Sequence, residues 1–230
     1  MATSVEAGRT PSHDARSREG DLPALRAIVQ WINGHRQITG AIVAILLVGG
    51  GLTWWSVVSR NRVEAAADQK LGAARLAFES RNYPLAASEL SQIVENYSGS
   101  RAADQANLLL AQVRLYQGQP QQAIDLLKRV APSMRRDTRA QAYGLLGAAQ
   151  ENAGHWSDAA GSYEAAAQRA PYAFLKAQYL SDAARSWLVV KDTAKALADY
   201  RTIISGMDST SNRVEAEVRV GELTKGSGVR

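Results

Sequence analysis

Four alanines recur along the second part of this chain at an almost constant interval of 37, 36 and 37 residues. These alanines are Ala86, Ala123, Ala159 and Ala196. Four residues after each one comes a larger apolar side chain, in order Leu90, Leu127, Tyr163 and Tyr200. Self-similarity with a period of roughly 20 to 50 residues is typical of stacked structural repeats. We therefore expect an array of repeats, in which each unit buries the apolar face of its neighbour.

The composition favours helices over strands. Of the 230 residues, 46% are hydrophobic, and many of these are alanine, which has the highest helix propensity. The six prolines and two phenylalanines, with few β-branched runs, do not suggest a sheet. Cysteine is absent, which excludes disulfides, thiolate metal sites and a lipid anchor attached to cysteine. The predicted fold class is all-α.

The third repeat is the clearest helix pair. Leu146 and Gly147 belong to its first helix, Gly154 turns the chain, and Ala159 and Tyr163 belong to its second helix. Small residues at Gly147 and Ala159 would let the two helices cross closely. The full set matches the tetratricopeptide pattern in order: Tyr143, Leu146, Gly147, Gly154, Trp156, Ala159, Tyr163, Ala166 and Pro171.

The other three units fit this layout less fully. We expect about four helix pairs within residues 62–223, with two or three extra residues in the loops between units, because the period exceeds the usual length of about 34. A further apolar pattern predicts one capping helix at the end of the array. Its residues are Val214, Val218, Val220 and Leu223. Residues 224–230 are expected to be a flexible tail.

An uncharged apolar stretch precedes the repeats. Ile38 to Val58 is long enough, at about 1.5 Å per residue, to cross the roughly 30 Å core of a bilayer. Trp54 and Trp55 lie near one end, where aromatic rings favour the lipid headgroups. A cleaved signal peptide is the alternative, but the run is long and a long tail precedes it. The stretch predicts a transmembrane helix, and the flanking arginines do not decide its orientation.

Two segments come before this stretch. Residues 1–21 are rich in Ser, Arg, Gly and acidic residues without an apolar period, which predicts disorder. Residues 22–37 carry apolar side chains at helical spacing, which predicts an amphipathic juxtamembrane segment. A short helix without a membrane role is equally compatible with this pattern. The apolar positions are Leu22, Leu25, Ile28, Val29 and Ile32.

Binding residues are expected on the first helix of each unit, which lines the concave face of such an array. Polar and aromatic residues there have no packing role in the pattern, although each one is also compatible with an ordinary solvated position. The candidates for a protein-binding groove are Arg75, Phe78, Gln105, Gln112, Tyr116, Gln141, Glu151, Gln178, Asp182 and Arg185. The Lys and Asn set with which some arrays hold a chaperone C-terminal carboxylate is missing.

The sequence does not suggest an enzyme, a cofactor or a metal site. The three histidines, His13, His35 and His155, are too widely separated to converge, and motifs for hydrolysis or phosphate binding are absent. The net charge of +5 is spread along the chain without a basic, aromatic face, so nucleic-acid binding is not expected. A local cluster at Arg135, Arg136 and Arg139 is interpreted as a loop that caps a helix, with an acidic partner as the alternative.

The order of these features resembles a known family. A stretch at Trp31-Ile32-Asn33-Gly34 is followed by an anchor that ends in Trp54-Trp55, a helical array from about Arg62, and a lone helix from Arg213 to Leu223. This order is similar to that of the bacterial ancillary SecYEG translocon subunits, single-span inner-membrane tetratricopeptide proteins. The resemblance implies a periplasmic array at the inner membrane, acting as a scaffold that binds the Sec translocon, periplasmic chaperones or exported clients.

A second resemblance gives the alternative function. The segment from Tyr83 to Ala123 is also similar to repeats of outer-membrane assembly lipoproteins and cell-division coordinators. The missing cysteine and the uncleaved span do not fit those proteins. The alternative is therefore a structural assembly factor for an envelope complex, which organises other proteins without handling clients.

Overall fold

The computed structural model of the chain describes residues 36–206 and 211–225, with side chains from residue 46 onward except at position 211. The chain divides into two units, Met1–Ser59 and Arg60–Arg230. The predicted disordered tail and nearly all of the predicted amphipathic segment lie outside the described residues, as does most of the predicted C-terminal tail. His13 and His35 lie outside them too.

Within the described ranges, all regular structure is helical. The helices are α1 (Arg36–Glu79), α2 (Tyr83–Asn96), α3 (Arg101–Tyr116), α4 (Pro120–Val130), α5 (Arg136–Asn152), α6 (Trp156–Arg169), α7 (Ala173–Val189), α8 (Thr193–Gly206) and α9 (Ser211–Thr224). A 3₁₀ turn, Ala131–Ser133, follows α4. The expected all-helical repeat fold is confirmed.

The residues that recur at the repeat interval form the core of the array. All four spaced alanines have 0% of their surface exposed, and their apolar partners are buried too. The helices pack in pairs from the end of α1 with α2 through α3 with α4, α5 with α6, and α7 with α8, and α9 packs on α8. Because alanine lets helix axes approach closely, the array is held by many small contacts and by leucines that each contribute about 1.5–3 kcal/mol.

The two helices of each pair are joined by a turn of three residues. In the third unit, Gly154 has φ of 78°, its N–H donates to Glu151 O, and the N–H of His155 donates to Gln150 O at 2.8 Å. This pair of hydrogen bonds is the Schellman motif, which needs a left-handed residue after the helix. The left-handed residue of the four turns is, in order, Arg81, Gly118, Gly154 and Lys191. The connections between units vary in length, and they comprise residues 97–100, 131–135 and 170–172. The extra residues expected in every such loop are not found at 170–172, which is as short as the turns within the units.

A carboxylate in the first unit ties three units together. Glu64 of α1 accepts hydrogen bonds from the N–H of Arg101 at 3.1 Å, at the start of α3, and lies 3.5 Å from the guanidinium of Arg135. Arg135 also lies 3.8 Å from Asp104, and Arg139 donates to Met134 O. Arg135 and Arg139 therefore have partners in their own chain, but no side chain caps the start of α5, and Arg136 and Arg139 lie within that helix rather than in a loop.

No helix in the part of the chain with described side chains has both the length and the apolar character that a membrane crossing requires. The first eight residues of the expected span, 38–45, are helical but lie outside the described side chains. From residue 46 to residue 57, this part of α1 exposes large apolar side chains. They are Leu46, Leu47, Val48, Leu52, Trp54, Trp55 and Val57.

Candidate functional site

Five of the ten candidate residues line one groove across the first three repeat units. They are Arg75, Phe78, Gln105, Gln112 and Gln141, and the same groove is lined by Glu79, Leu108, Leu109 and Thr138. The groove has a volume of about 470 Å³. Its residues come from α1, α3 and α5, the first helices of three successive units. The structure therefore brings half of the candidates together.

The groove combines an apolar floor with amide-bearing walls. Leu108 is buried, and Leu109 is partly buried against the core. The guanidinium of Arg75 donates a hydrogen bond to the side-chain oxygen of Gln105, which joins the first two units across the groove. Arg75 and Glu79 carry its formal charges, of opposite sign, so the groove lining has no net formal charge.

An aromatic cluster adjoins the groove at Phe78. The ring of Phe78 lies 5.5 Å from that of Tyr116 in an edge-to-face arrangement and 5.9 Å from that of Tyr83. Tyr83 and Tyr116 stack with nearly parallel rings, 5.4 Å apart. Although it is 64% exposed, Tyr116 is held in place by two rings. The candidates Phe78 and Tyr116 therefore belong to one preorganised aromatic surface.

Three other candidates form a separate cluster that is internally paired. Arg185 on α7 lies 2.9 Å from Asp182 and 3.4 Å from Glu151 of α5. Glu151 also accepts hydrogen bonds from the hydroxyls of Tyr163 and Ser186, each at 2.9 Å. Its carboxylate therefore joins α5, α6 and α7, and its acceptor capacity is largely used within the fold.

The electrostatics of this cluster agree with a structural role. Burial raises the pKa of the Tyr163 phenol far above its usual value, and the hydrogen bond to Glu151 adds to the shift. Burial also raises the pKa of Asp182, although the Arg185 guanidinium opposes that shift. The cluster is therefore a partly buried network of Tyr, Glu, Asp and Arg, with little capacity left for a partner.

The remaining candidate, Gln178, lies on α7 outside both groups and is exposed. It follows Gln105 and Gln141 at the repeat interval, so its helix position is equivalent to theirs. The difference is its surroundings, because the groove ends at Gln141 of α5. Equivalent positions in the repeat therefore do not share one site.

Sequence reasoning missed four groove residues: Glu79, Leu108, Leu109 and Thr138. Leu108 and Leu109 precede Gln112 by four and three residues, so they share its face of α3. That spacing was a usable signal. Thr138 lies in the first turn of α5, and its position depends on the loop after the 3₁₀ turn, for which the repeat pattern offers no signal.

Within the described ranges, acidic and histidine side chains do not gather in groups that could hold a metal ion. His155 is exposed in the turn between α5 and α6, next to a shallow surface depression bounded by Trp156 and Val190. The residues that line this depression include no second histidine.

Comparison with known proteins identifies the fold. No protein-family model matches the chain, and no curated protein matches it significantly in sequence. Solved structures do match. The TPR-like repeats of a protein described as a kinesin light chain from Podosopora anserina are 16% identical, with a TM-score of 0.55, over 73% of this chain and 89% of that chain.

Two further structures show the same likeness. MamA is 18% identical with a TM-score of 0.53, over 68% of this chain and 85% of its own. YrrB, described as a TPR protein with an unusual peptide-binding site, is 17% identical with a TM-score of 0.50, over 84% of this chain and 98% of its own. The repeat array has a tetratricopeptide-like fold. At these identities the likeness concerns the fold alone.

Proposed function

We propose that this protein is a non-enzymatic, membrane-attached scaffold that binds segments of other proteins in the groove formed by its first three repeat units. The observation that carries this proposal is the convergence of five predicted residues in one groove with a leucine floor and glutamine walls. Amide side chains donate and accept hydrogen bonds, so they can pair with the backbone of a bound peptide. A groove with an aromatic cluster at one end has the mixed character of a protein-binding site.

The similarity in fold to YrrB supports a peptide as the ligand class, because that protein is described as having a peptide-binding site. The paired cluster around Glu151 makes a binding surface along all four units less favourable. We therefore place the ligand at the groove alone.

Membrane attachment is the second part of the proposal. The apolar side chains exposed between residues 46 and 57 of α1 form the kind of surface that proteins place in a membrane or an interface. We propose that Ile38 to Val58 spans the membrane, with Trp54 and Trp55 at the headgroup level. On the resemblance of residues 22–223 to the translocon subunits, we propose that the membrane is the bacterial inner membrane and that the array is periplasmic. The partners are then the Sec translocon, periplasmic chaperones or exported clients.

Photocrosslinking tests the groove directly. The full chain would be expressed in a bacterial host with benzoylphenylalanine at Gln141, which lines the groove, or at Gln178, the equivalent position outside it. We expect benzoylphenylalanine at position 141 to give at least threefold more crosslinks to other proteins than benzoylphenylalanine at position 178. Sec channel subunits or chaperones as chief products would support translocation, and envelope-synthesis proteins would support the assembly-factor alternative. Equal yields at both positions would contradict the groove.

Attachment is tested separately by membrane fractionation and alkaline extraction. We expect Leu47→Arg to shift the chain out of the extracted membrane pellet, because a charge at the centre of a span costs about 2.5–3.5 kcal/mol. The matched control is Leu85→Arg at an exposed position of the array, which should remain in the pellet. Protease protection of the array in spheroplasts would contradict the periplasmic location.

A further inference from the structure

The segment of α1 within the array has an exposed face that is directed neither into the groove nor into the core. We call it the outer face of α1, and it consists of Ala66, Gln69, Ala73 and Leu76. Each of these residues is exposed, and Leu76 is 67% exposed. The core residues Ala67, Leu71 and Ala74 of the same segment lie on a different side of the helix.

The repeat register identifies what this face would normally contact. The positions equivalent to Leu76 in the next three units are Val113, Ala149 and Ser186, and each has 0% of its surface exposed. The first helices of those units pack against the second helix of the unit before, with α2 on α3, α4 on α5, and α6 on α7. The described residues include no repeat unit before α1. The outer face of α1 is thus a helix-receiving surface that continues the interface between units.

The side chains of the outer face of α1 suit pairing with the same face of a second copy of the chain. Its residues are spaced by three, four and three positions, which is the spacing of the seam between two paired helices. None of these four residues is charged, so this stretch has no like charges to repel each other, although Arg62 lies one turn before Ala66 on the same side of the helix. Two alanines allow close approach, and the Gln69 amide can both donate to and accept from the same amide of a second copy.

We propose that two copies of this chain associate through the outer face of α1, with the two helices parallel. The parallel orientation rests on the membrane attachment proposed above, because copies inserted in one membrane carry α1 in the same direction. A two-fold axis then places each residue of the seam opposite itself. Arg75 and Phe78 lie on another side of α1, so both grooves stay open to protein segments.

The cysteine-free sequence allows a direct test. Single cysteines would be placed in the full chain, in membranes, at Ala73 in the seam or at Asp68, which is also exposed but lies away from it. After mild oxidation, we expect Ala73→Cys to form a disulfide-linked dimer at a yield at least fivefold above that of Asp68→Cys. Adding Leu76→Asp to Ala73→Cys should lower that yield at least fivefold.

Two measurements on the same samples distinguish a loss of pairing from a loss of folding. The helical circular-dichroism spectrum should be unchanged in Leu76→Asp, because the leucine is exposed in the single copy, and native mass spectrometry should detect a two-copy mass that this variant loses. Equal crosslinking at Ala73 and Asp68, a single-copy mass, or crosslinks to other proteins only, would each overturn the proposal. Membrane attachment is measured separately, by sedimentation with membranes. A loss of pairing alone would therefore not contradict the proposed attachment.

Discussion

The ring of Tyr163 occupies the space that a Cβ atom on Gly147 would need. A methyl group added to Gly147 would lie 2.8 Å from the Cδ1 and Cε1 atoms of that ring. Real side chains do not approach so closely, so the crossing of α5 and α6 requires the missing Cβ. The glycine and the tyrosine thus form one packing unit, in which the size of one residue sets the space for the other.

Gly147→Ala should destabilise the fold. Overpacking of a tight contact costs about 1–3 kcal/mol, which outweighs the gain of up to about 1 kcal/mol in helix propensity. The matched control is Gly161→Ala, in the interior of α6, where a methyl group meets open space. We expect that control to be neutral or stabilising in chemical denaturation. Destabilisation by both substitutions to the same degree would contradict the packing argument.

The hydroxyl of Tyr163 leads to a second prediction, because it donates to the carboxylate of Glu151. Tyr163→Phe should lower the free energy of unfolding by about 1.5–3 kcal/mol, the usual value of a hydrogen bond to a charged group. A double-mutant cycle with Glu151→Gln isolates the pair, and a coupling energy near zero would contradict a structural role for it. The control Tyr172→Phe changes an exposed tyrosine and should be neutral.

The repeat register made the fold predictable. Small residues at a constant interval identified the crossings between helices, and Ala86, Ala123, Ala159 and Ala196 are all fully buried. Only two of the four left-handed turn positions have the glycine that such a turn favours, namely Gly118 and Gly154. The first and last turns have Arg81 and Lys191 instead. A left-handed residue that is not glycine leaves no compositional signal.

The site was less predictable than the fold. The repeat interval predicts which face of a helix a residue lies on. It does not predict whether a neighbouring side chain will form hydrogen bonds with that residue's polar atoms. Glu151 and Gln141 were both candidates from the first helix of the third unit, yet Glu151 accepts from Tyr163 and Ser186, whereas Gln141 lines the groove. Which of the two stays available depends on residues 12 to 35 positions away in the sequence.

The turn between α7 and α8 offers a way to stabilise the protein. Lys191 adopts φ of 62° in the position that Gly118 and Gly154 occupy in the two preceding turns. A side chain in this conformation costs about 1–2 kcal/mol, partly offset by the greater flexibility of glycine in the unfolded chain. Lys191→Gly should therefore raise the free energy of unfolding by about 0.5–1 kcal/mol.

The control for this prediction is Lys191→Ala, which removes the charge and the long side chain but keeps the Cβ. It should not stabilise the protein. The reverse change, Gly154→Ala, should destabilise it by about 1–2 kcal/mol, because alanine is strained at φ of 78°. Equal gains from Lys191→Gly and Lys191→Ala would show that backbone strain is not the cause.

The last prediction concerns Asp199 of α8, a buried carboxyl group whose Oδ2 has no hydrogen-bond partner among the described residues. Burial raises the pKa of Asp199 to about 7, and repulsion from the Glu164 carboxylate adds to the shift. The unfolded chain has an ordinary Asp pKa of about 3.9. Between these two values the folded state binds more protons than the unfolded state, so stability falls as the pH rises.

We therefore expect Asp199 to lower the free energy of unfolding progressively from about pH 4 to about pH 7, with the full loss present above that range. Asp199→Asn, which stays neutral, should be more stable than the parent at pH 8 by on the order of 1–3 kcal/mol, since each pKa unit corresponds to about 1.4 kcal/mol. The gain should shrink toward pH 4. Denaturant unfolding across this range checks the prediction, with Asp125→Asn on the exposed surface of α4 as the control. A pH-independent difference between parent and Asp199→Asn would show that titration of this carboxyl group is not the cause.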